Sequence, residues 1–575
     1  MNSGRNTVAG SNQTTDYSFL TSWDNETGSD FGGSSENYTE RRTSGSSERT
    51  TQRVSQTSRR QGTGSEGSGY RAAPRNQATQ SNRASQRNRS SNRRRRRRDG
   101  SDAIKVIIAV IIAALILVGG FFLIKSLIGK FSPEKEKETV TVEETTDVVI
   151  ETEESTEAAT AAVIDVLEKA KLKAAQYDYD GALELINNEK DIQDLPEVKE
   201  FIAEVNATKE TLVRFPVSDV THIFFHILTV DPDLTFDASK WGNQAGGYNS
   251  LMTTIPEFER ILESMYARGY VLISLHDMGK VEQQADGTYK MVQGNIMLPP
   301  GKKAFVMSED DVCYYEYMKG AGFADKMIIG EDGRPTLHYV DREGNEHVGD
   351  YDIVPILDKF IDEHPDFSYH GHKACLVFTG YNGVLGYRTD ETYLPENYEK
   401  HKVEGGHDVE AERKEAVKVL RALYEDGYDL GSHSWGHRDM GAMSVSFLKE
   451  DSDKWERNVN SLIREATGQG ADILIYPKGA DIGDWRGYDS KDQKKEGCVD
   501  KYKYLTDLGF RYFCNVDSSK TWVQVGSDYI RTGRRALDGY NFWFEIQNNK
   551  GRFTDLWDNT SAIFDSRRPT PVPSY

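Results

Sequence analysis

The chain has 575 residues and a formal net charge of −20, too long for one domain and long enough to bury at least one large core. Its first hundred residues are rich in arginine and poor in acids, so the remainder is strongly acidic, which argues against nucleic acid as a partner of the folded part. The four cysteines, Cys313, Cys375, Cys498 and Cys514, are too few and too scattered for a disulfide framework.

Residues 1–102 are Ser, Gly, Asn, Gln, Thr and Arg with almost no aliphatic side chains. Such a segment buries too little apolar area to offset its ordering entropy, so it is predicted to be a disordered tail. It ends in Arg93–Arg98 and is followed by an unbroken apolar run, Val106–Ile124. At about 1.5 Å per residue this run approaches the roughly 30 Å of a hydrocarbon core. A transmembrane helix is expected over 103–129, and the arginines place its amino-terminal side in the cytoplasm. The localisation expected is therefore a cell membrane, single-pass, with the rest of the chain extracellular.

Residues 130–160 are a Glu/Thr/Val linker whose like charges favour an extended stalk. From 161 to 213 the apolar period becomes helical, with Val163, Val166, Leu167 and Ala170, then Ala182, Leu183, Leu185 and Ile186, then Val198, Phe201, Ile202 and Val205 on the predicted faces. Breaks near Tyr177–Gly181 and at Leu195-Pro196 suggest a small helical hairpin or spacer. From 214 to 575 apolar runs (Thr221–Val230, Tyr270–Leu275, Ala304–Met307, Ala374–Phe378, Ile473–Tyr476, Phe510–Val516 and a stretch near Tyr529) alternate with amphipathic helices. That alternation predicts an α/β domain with a largely parallel sheet. No glycine-rich phosphate fingerprint follows any strand, and the span favours an irregular (β/α) barrel with insertions. One insertion, Met327–Val348, reads as a β-hairpin turning at Gly330–Gly333. Cys313 and Cys375 sit in apolar runs and read as buried thiols, whereas a Cys498–Cys514 bridge stays open for an extracellular chain.

The chemistry concentrates at two places. Phe305-Val306-Met307-Ser308 runs straight into Glu309, Asp310 and Asp311, and carboxylates at the end of a buried strand converge on the mouth of the sheet. Downstream, His433 and His437 are four residues apart, a spacing at which one helical turn lets two imidazoles share a metal. Two histidines and one carboxylate, with positions left for water, make a catalytic set, and a second, unliganded carboxylate can serve as a base.

Ser308-Glu309-Asp310-Asp311 and His433-Ser434-Trp435-Gly436-His437 resemble the first two motifs of the polysaccharide deacetylases of carbohydrate esterase family 4, the NodB-homology domain. Tyr476-Pro477-Lys478-Gly479 resembles a form of its third motif. The resemblance runs from about Phe215 onward. It implies that Asp311, His433 and His437 hold a divalent metal, usually Zn²⁺, and that Asp310 is the general base. Tyr476, Pro477 and Gly479 would line the substrate, a backbone N–H near Tyr476 stabilising the oxyanion. The activity implied is hydrolysis of N-acetyl groups on a cell-wall or extracellular polysaccharide.

The sequence departs from that pattern at three points. No histidine follows His437, so the usual carboxy-terminal acid is missing. His226, placed as in the biofilm-polysaccharide branch, takes that role, with His222 on the same strand face as the weaker candidate. The arginine that tethers the base is absent from its usual place, and Arg531, Arg534 or Arg535 is expected to replace it. Glu309 stands where an apolar residue is usual. Strand alternation puts Glu309 and Asp311 on one face and Ser308 and Asp310 on the other, so the strand has to end or bend by Asp310. Trp485, Trp522, Tyr540, Phe542 and Trp543 are candidates for sugar-stacking walls. Glu309 and the missing histidine also admit a catalytically silent glycan-binding or scaffold protein on the same fold. Amide hydrolysis on a non-glycan substrate stays open as well.

Overall fold

The computed structural model describes residues 164–574. The tail, transmembrane and linker expectations for 1–102, 103–129 and 130–160 lie outside the described residues. Among the described residues no helix is long and apolar enough to cross a membrane.

Eight parallel strands carry the domain: β1 (Thr221–His226), β2 (Tyr270–Leu272), β3 (Lys303–Asp310), β4 (Cys375–Phe378), β5 (Asp429–Ser432), β6 (Ile473–Ile475), β7 (Tyr512–Val516) and β8 (Ile530–Ala536). Seven of them close a ring in the order β1-β3-β4-β5-β6-β7-β8 and back to β1. The eighth, β2, pairs with Lys303–Phe305 at the start of β3. At its end β3 turns to β4 instead, through Ser308 and Glu309. The expected barrel is therefore present, with β3 as the strand shared by two neighbours on one edge.

Alternation sorts the side chains into two layers. Ala304, Val306, Cys375, Val377, Ile473, Ile475, Tyr512, Cys514 and Ile530 fill the ring interior together with residues beneath it. Phe305, Met307, Leu376, Phe378, Leu430, Leu474 and Phe513 face outward into the helical layer. That layer includes Ile255–Ala267, Ile353–Glu363, Val409–Glu425, Cys498–Asp507 and Gly539–Asn548. Thr254 and Glu257 close a reciprocal capping box on the first of these, satisfying end N–H groups the helix cannot use. The helix from Val445 continues through a wide turn at Glu456–Asn460 into Ser461–Thr467.

All four cysteines are free and buried. The Cys498–Cys514 bridge is not formed because Cys514 points into the ring while Cys498 opens a helix in the outer layer. The expected hairpin insertion is a three-stranded antiparallel meander, Lys326–Ile329, Pro335–Val340 and Glu346–Gly349. Its first turn falls at Gly330–Arg334 as expected.

The amino-terminal mouth of the barrel is closed by charge. Imidazole His276 contacts Asp429 at 3.2 Å and Asp472 at 3.0 Å, and Ser274 Oγ donates to Asp429 at 2.6 Å. The helical segment (164–175, Tyr179–Asn188 and Pro196–Lys209) docks beside this end. Tyr177 stacks on Tyr369 and donates its hydroxyl to Asp366 O at 2.7 Å, and His370 N–H donates to Gln176 O at 2.7 Å.

Candidate active site

At the carboxyl-terminal mouth, Ser308 and Asp310 point into the ring and Glu309 points out of it. The strand ends at Asp310, and Asp311 then takes the left-handed conformation with φ 62°. That single residue reverses the alternation and brings the second carboxylate back to the mouth. Non-glycine residues adopt this conformation at a cost of about 1–3 kcal/mol, so the surroundings have to hold it there.

His433 and His437 follow β5, but not as a helical turn. Ser434 and His437 have φ 57° and 51°, and the segment is a loop. Asp451 fixes it by accepting the N–H groups of Trp435 and Gly436 at 2.9 and 3.0 Å. The Trp435 indole N–H donates to Asp390 at 2.8 Å. The two imidazoles lie with ring centroids 5.1 Å apart, and one ligand atom from each of Asp311, His433 and His437 falls within 4.8 Å of the others.

The donor set fits a divalent metal on its own chemistry. His433 Nδ1 lies 2.9 Å from Ile475 O. A carbonyl only accepts, so Nδ1 carries the proton and Nε2 turns its lone pair to the mouth, the tautomer a ligand requires. Burial first, against the opposing pull of Asp310 and Asp311, brings His433 down to about 4. Burial, then Lys478 and His226, brings His437 to about 4 as well. Both imidazoles are thus neutral and available as ligands. His437 Nε2 is 3.8 Å from Asp311 Oδ2.

Asp310 is organised differently. Arg534, reaching in from β8, donates to its two oxygens at 2.6 and 2.9 Å and to Ser308 Oγ at 3.1 Å. Burial alone would raise the Asp310 carboxyl, but the Arg534 charge, with His433 and His226, holds it well below the usual carboxylate range. Its Oδ2 lies 3.8 Å from His433 Nε2. Of the three arginines expected to tether this carboxylate, Arg534 does so. Arg531 pairs with Asp481 at 2.6 Å and Arg535 with Asp555 at 2.8 Å. Deeper in the ring, His222 spends Nδ1 on Thr532 Oγ1 and Nε2 on Ser308 Oγ, at 2.9 and 3.0 Å. It is a satisfied core histidine.

His226 ends β1 directly beside Asp310 in register. Asp310, His437 and Asp538 all lie within its electrostatic reach. Asp538, which caps the helix Gly539–Asn548, is pushed up to about 6, chiefly by burial. Nothing in the sequence singled out Asp538, because its nearness to His226 arises only from the pairing of β8 with β1.

The Tyr476–Gly479 turn follows β6, with Lys478 at φ 58°. Tyr476 N–H is spent on Cys514 O at 2.9 Å and Gly479 N–H on Tyr476 O at 3.0 Å, while Pro477 has no N–H. The expected oxyanion donor is therefore neither of these two groups, since the sheet and the turn consume both. The Tyr476 hydroxyl bonds to that of Tyr488 at 2.8 Å. Among the aromatic candidates, Phe542 is fully buried core and Trp522 lies under Arg531. Trp485 is 70% exposed on the loop that follows this turn.

Glu309 is fully buried on the outer face, where no N–H or hydroxyl group reaches it and its one polar partner is the carboxyl of Asp352. Burial, then the nearby Asp352, drives it well above the usual carboxylate range. Asp352 accepts N–H bonds from Leu228 and Ile353 and the Tyr314 hydroxyl, at 2.8, 2.9 and 2.8 Å. The third carboxylate thus stays protonated behind the strand and outside the site.

No family model matches the chain. An uncharacterised 30.6 kDa protein in the fumA 3′ region of Geobacillus stearothermophilus is 30% identical over 64 residues, 11% of this chain and 23% of that protein. The chain therefore spans less than a quarter of that relative's length. Among solved structures, the Streptococcus pyogenes deacetylase PplD in complex with acetate aligns over 56% of this chain and 93% of its own, at 13% identity and TM-score 0.28. IcaB from Ammonifex degensii aligns over 56% and 94%, at 10% identity and TM-score 0.25. A CE4 family pseudoenzyme from Bacillus anthracis aligns over 40% and 84%, at 10% identity and TM-score 0.17.

Proposed function

We propose that the barrel is a metal-dependent N-deacetylase acting on an N-acetylated cell-wall or extracellular polysaccharide. The observation that carries this reading is the convergence of Asp311, His433 and His437 on one point, beside a separate carboxylate, Asp310, kept ionised by Arg534. The motif resemblance from Ser308 to Gly479 supports the substrate class.

A divalent cation, Zn²⁺ by the donor set, supplies Lewis acidity when bound, acidifying water and polarising the acyl oxygen. Asp310 accepts the water proton as oxygen adds to the acyl carbon. Arg534 holds the carboxylate through both of its oxygens, with Oδ2 3.8 Å from His433 Nε2. His226, on the neighbouring strand end, delivers a proton to the nitrogen as the C–N bond breaks, and acetate and a free amine leave. Trp485, exposed on the loop that follows the Tyr476–Gly479 turn, is the aromatic ring free to meet a sugar face.

Glu309 was one reason to consider a silent glycan-binding protein. Its outward position removes that reason. In the same reading, residues 103–129 anchor the chain in a membrane with the barrel outside the cell. Protease protection of the segment before residue 103 in sealed cells tests that topology.

The test of activity is acetate release from N-acetylglucosamine oligomers by the full-length chain, before and after chelation. Release that stops with chelator and returns with Zn²⁺ is expected. No release from any N-acetylated glycan after metal reloading would sink the enzymatic reading.

A further inference from the structure

The hydroxyl of Tyr315 lies 2.6 Å from Asp311 Oδ1 and 2.8 Å from Thr379 Oγ1. A ligating carboxylate only accepts, so Tyr315 donates to Asp311, and Thr379 is left to donate to Tyr315. Cys313 Sγ lies 3.2 Å from Thr379 Oγ1 and 3.6 Å from Thr379 O. With the Thr379 proton committed to Tyr315, the thiol donates to Thr379. Three donors therefore point one way and end on the metal ligand.

The ring that presents this hydroxyl is held on both faces. Tyr315 stacks on Tyr317 with centroids 5.2 Å apart and planes 13° apart, and on Tyr381 at 5.2 Å and 18°. It is 4% exposed. Such a stack removes ring rotation as a way to lose the bond. What it holds is a carboxylate on a left-handed backbone, whose other oxygen faces His437 Nε2 at 3.8 Å.

We infer that Tyr315 is the positioning residue of the metal site, setting the Asp311 carboxylate so that Oδ2 is presented to the cation, with Thr379 and Cys313 fixing the direction of its hydroxyl. The inference rests on the metal reading above and adds the device that makes Asp311 a ligand. Partners of this kind typically change metal affinity about 10–100-fold when removed.

The experiment compares full-length wild type, Tyr315→Phe and Thr379→Val by Zn²⁺ competition against a chromophoric chelator and by the visible spectrum with Co²⁺ substituted. Tyr315→Phe keeps the stack and loses only the hydroxyl. It is expected to weaken Zn²⁺ binding about 10–100-fold and to shift the Co²⁺ bands. Thr379→Val, which leaves the Tyr315 hydroxyl in place, is expected to weaken binding less. If Tyr315→Phe fails to fold, weakened binding in Thr379→Val carries the inference, and wild-type affinity in it overturns the inference. Zn²⁺ affinity within about twofold of wild type in Tyr315→Phe, a change inside the ordinary surface range, overturns it. A wild-type chain that takes up no divalent cation overturns it along with the site. A chain that binds Zn²⁺ through Tyr315 yet releases no acetate upholds the inference while the deacetylase reading fails.

Discussion

Arg534 meets Asp310 edge to edge across 224 residues of sequence, with two N–H···O bonds of 2.6 and 2.9 Å inside the barrel. The guanidinium also lies 4.0 Å from the centroid of Phe224. Both charges are almost fully removed from water, so each depends on the other. Replacing one partner of such a pair costs about 3–5 kcal/mol because a lone charge is left buried. Arg534→Met is expected to lose that much in denaturant unfolding. Asp310, held low by Arg534, contributes stability that is present above the ordinary aspartate range and lost as pH falls toward its folded value. Arg534→Met should therefore be closest to wild type at the acid end.

Asp310→Asn should lower acetate release about 10²–10⁴-fold, the range for a positioned base, with metal content unchanged. The Asp310 base role fails if the variant keeps its rate. His226→Gln should slow the reaction most with poor leaving amines, and an unaltered rate would move the acid elsewhere.

Metal removal should be visible without substrate. A ligand present at a hundred times its dissociation constant stabilises by about 2.7 kcal/mol. Chelated protein should melt lower than the Zn²⁺-loaded form, and His433→Ala should melt alike with and without Zn²⁺. A chelator-insensitive melting curve in wild type would speak against the cation.

Glu309→Gln should leave metal content unchanged and the rate within a factor of about two, because Glu309 sits behind the strand in its protonated form. A carboxyl raised on folding carries no penalty below its ordinary value and a growing one as pH rises toward the folded value. The variant should thus equal wild type near pH 4 and exceed it in alkaline solution. A variant that melts below wild type at alkaline pH would contradict this assignment.

At the opposite mouth, burial opposes the charge on His276, but Asp429 and Asp472 together raise it well above the ordinary histidine value. Its stabilisation is fully present below about pH 6.5 and is lost as pH rises through the folded value. His276→Gln should cost on the order of 1 kcal/mol at pH 6, allowing for screening at this partly exposed ring. The difference should close in alkaline solution. A pH-independent difference in urea midpoints would show that packing dominates.

The barrel was legible because its strands are apolar runs of the right length, punctuated by helices ending in glycine. Asp311, His433 and His437 were legible because their spacing and motif context are local. Arg534 could be narrowed only to three candidates, since nothing local says which arginine alternation turns inward. The His433–His437 spacing suggested a helical turn, whereas the left-handed Ser434 and His437 make a loop, and backbone sign is not written in that spacing. Asp538 was missed because its nearness to His226 comes from strand pairing, and Tyr315, only four residues after Asp311, because its reach back depends on the left-handed turn at Asp311. Glu309 looked anomalous until one left-handed residue, Asp311, explained how neighbours on opposite faces can both reach the mouth.

The helical segment grips Asp366, Tyr369 and His370, which precede β4 and so lie at the end of the barrel away from the metal ligands. The helical segment and the cluster of Asp311, His433 and His437 therefore lie at opposite ends of the barrel. Strand β3, eight residues long, runs roughly 26 Å between the two ends at about 3.3 Å per residue, tilted to the barrel axis. Under the proposed membrane anchoring, the barrel itself would act as a spacer between the tether and the proposed metal site.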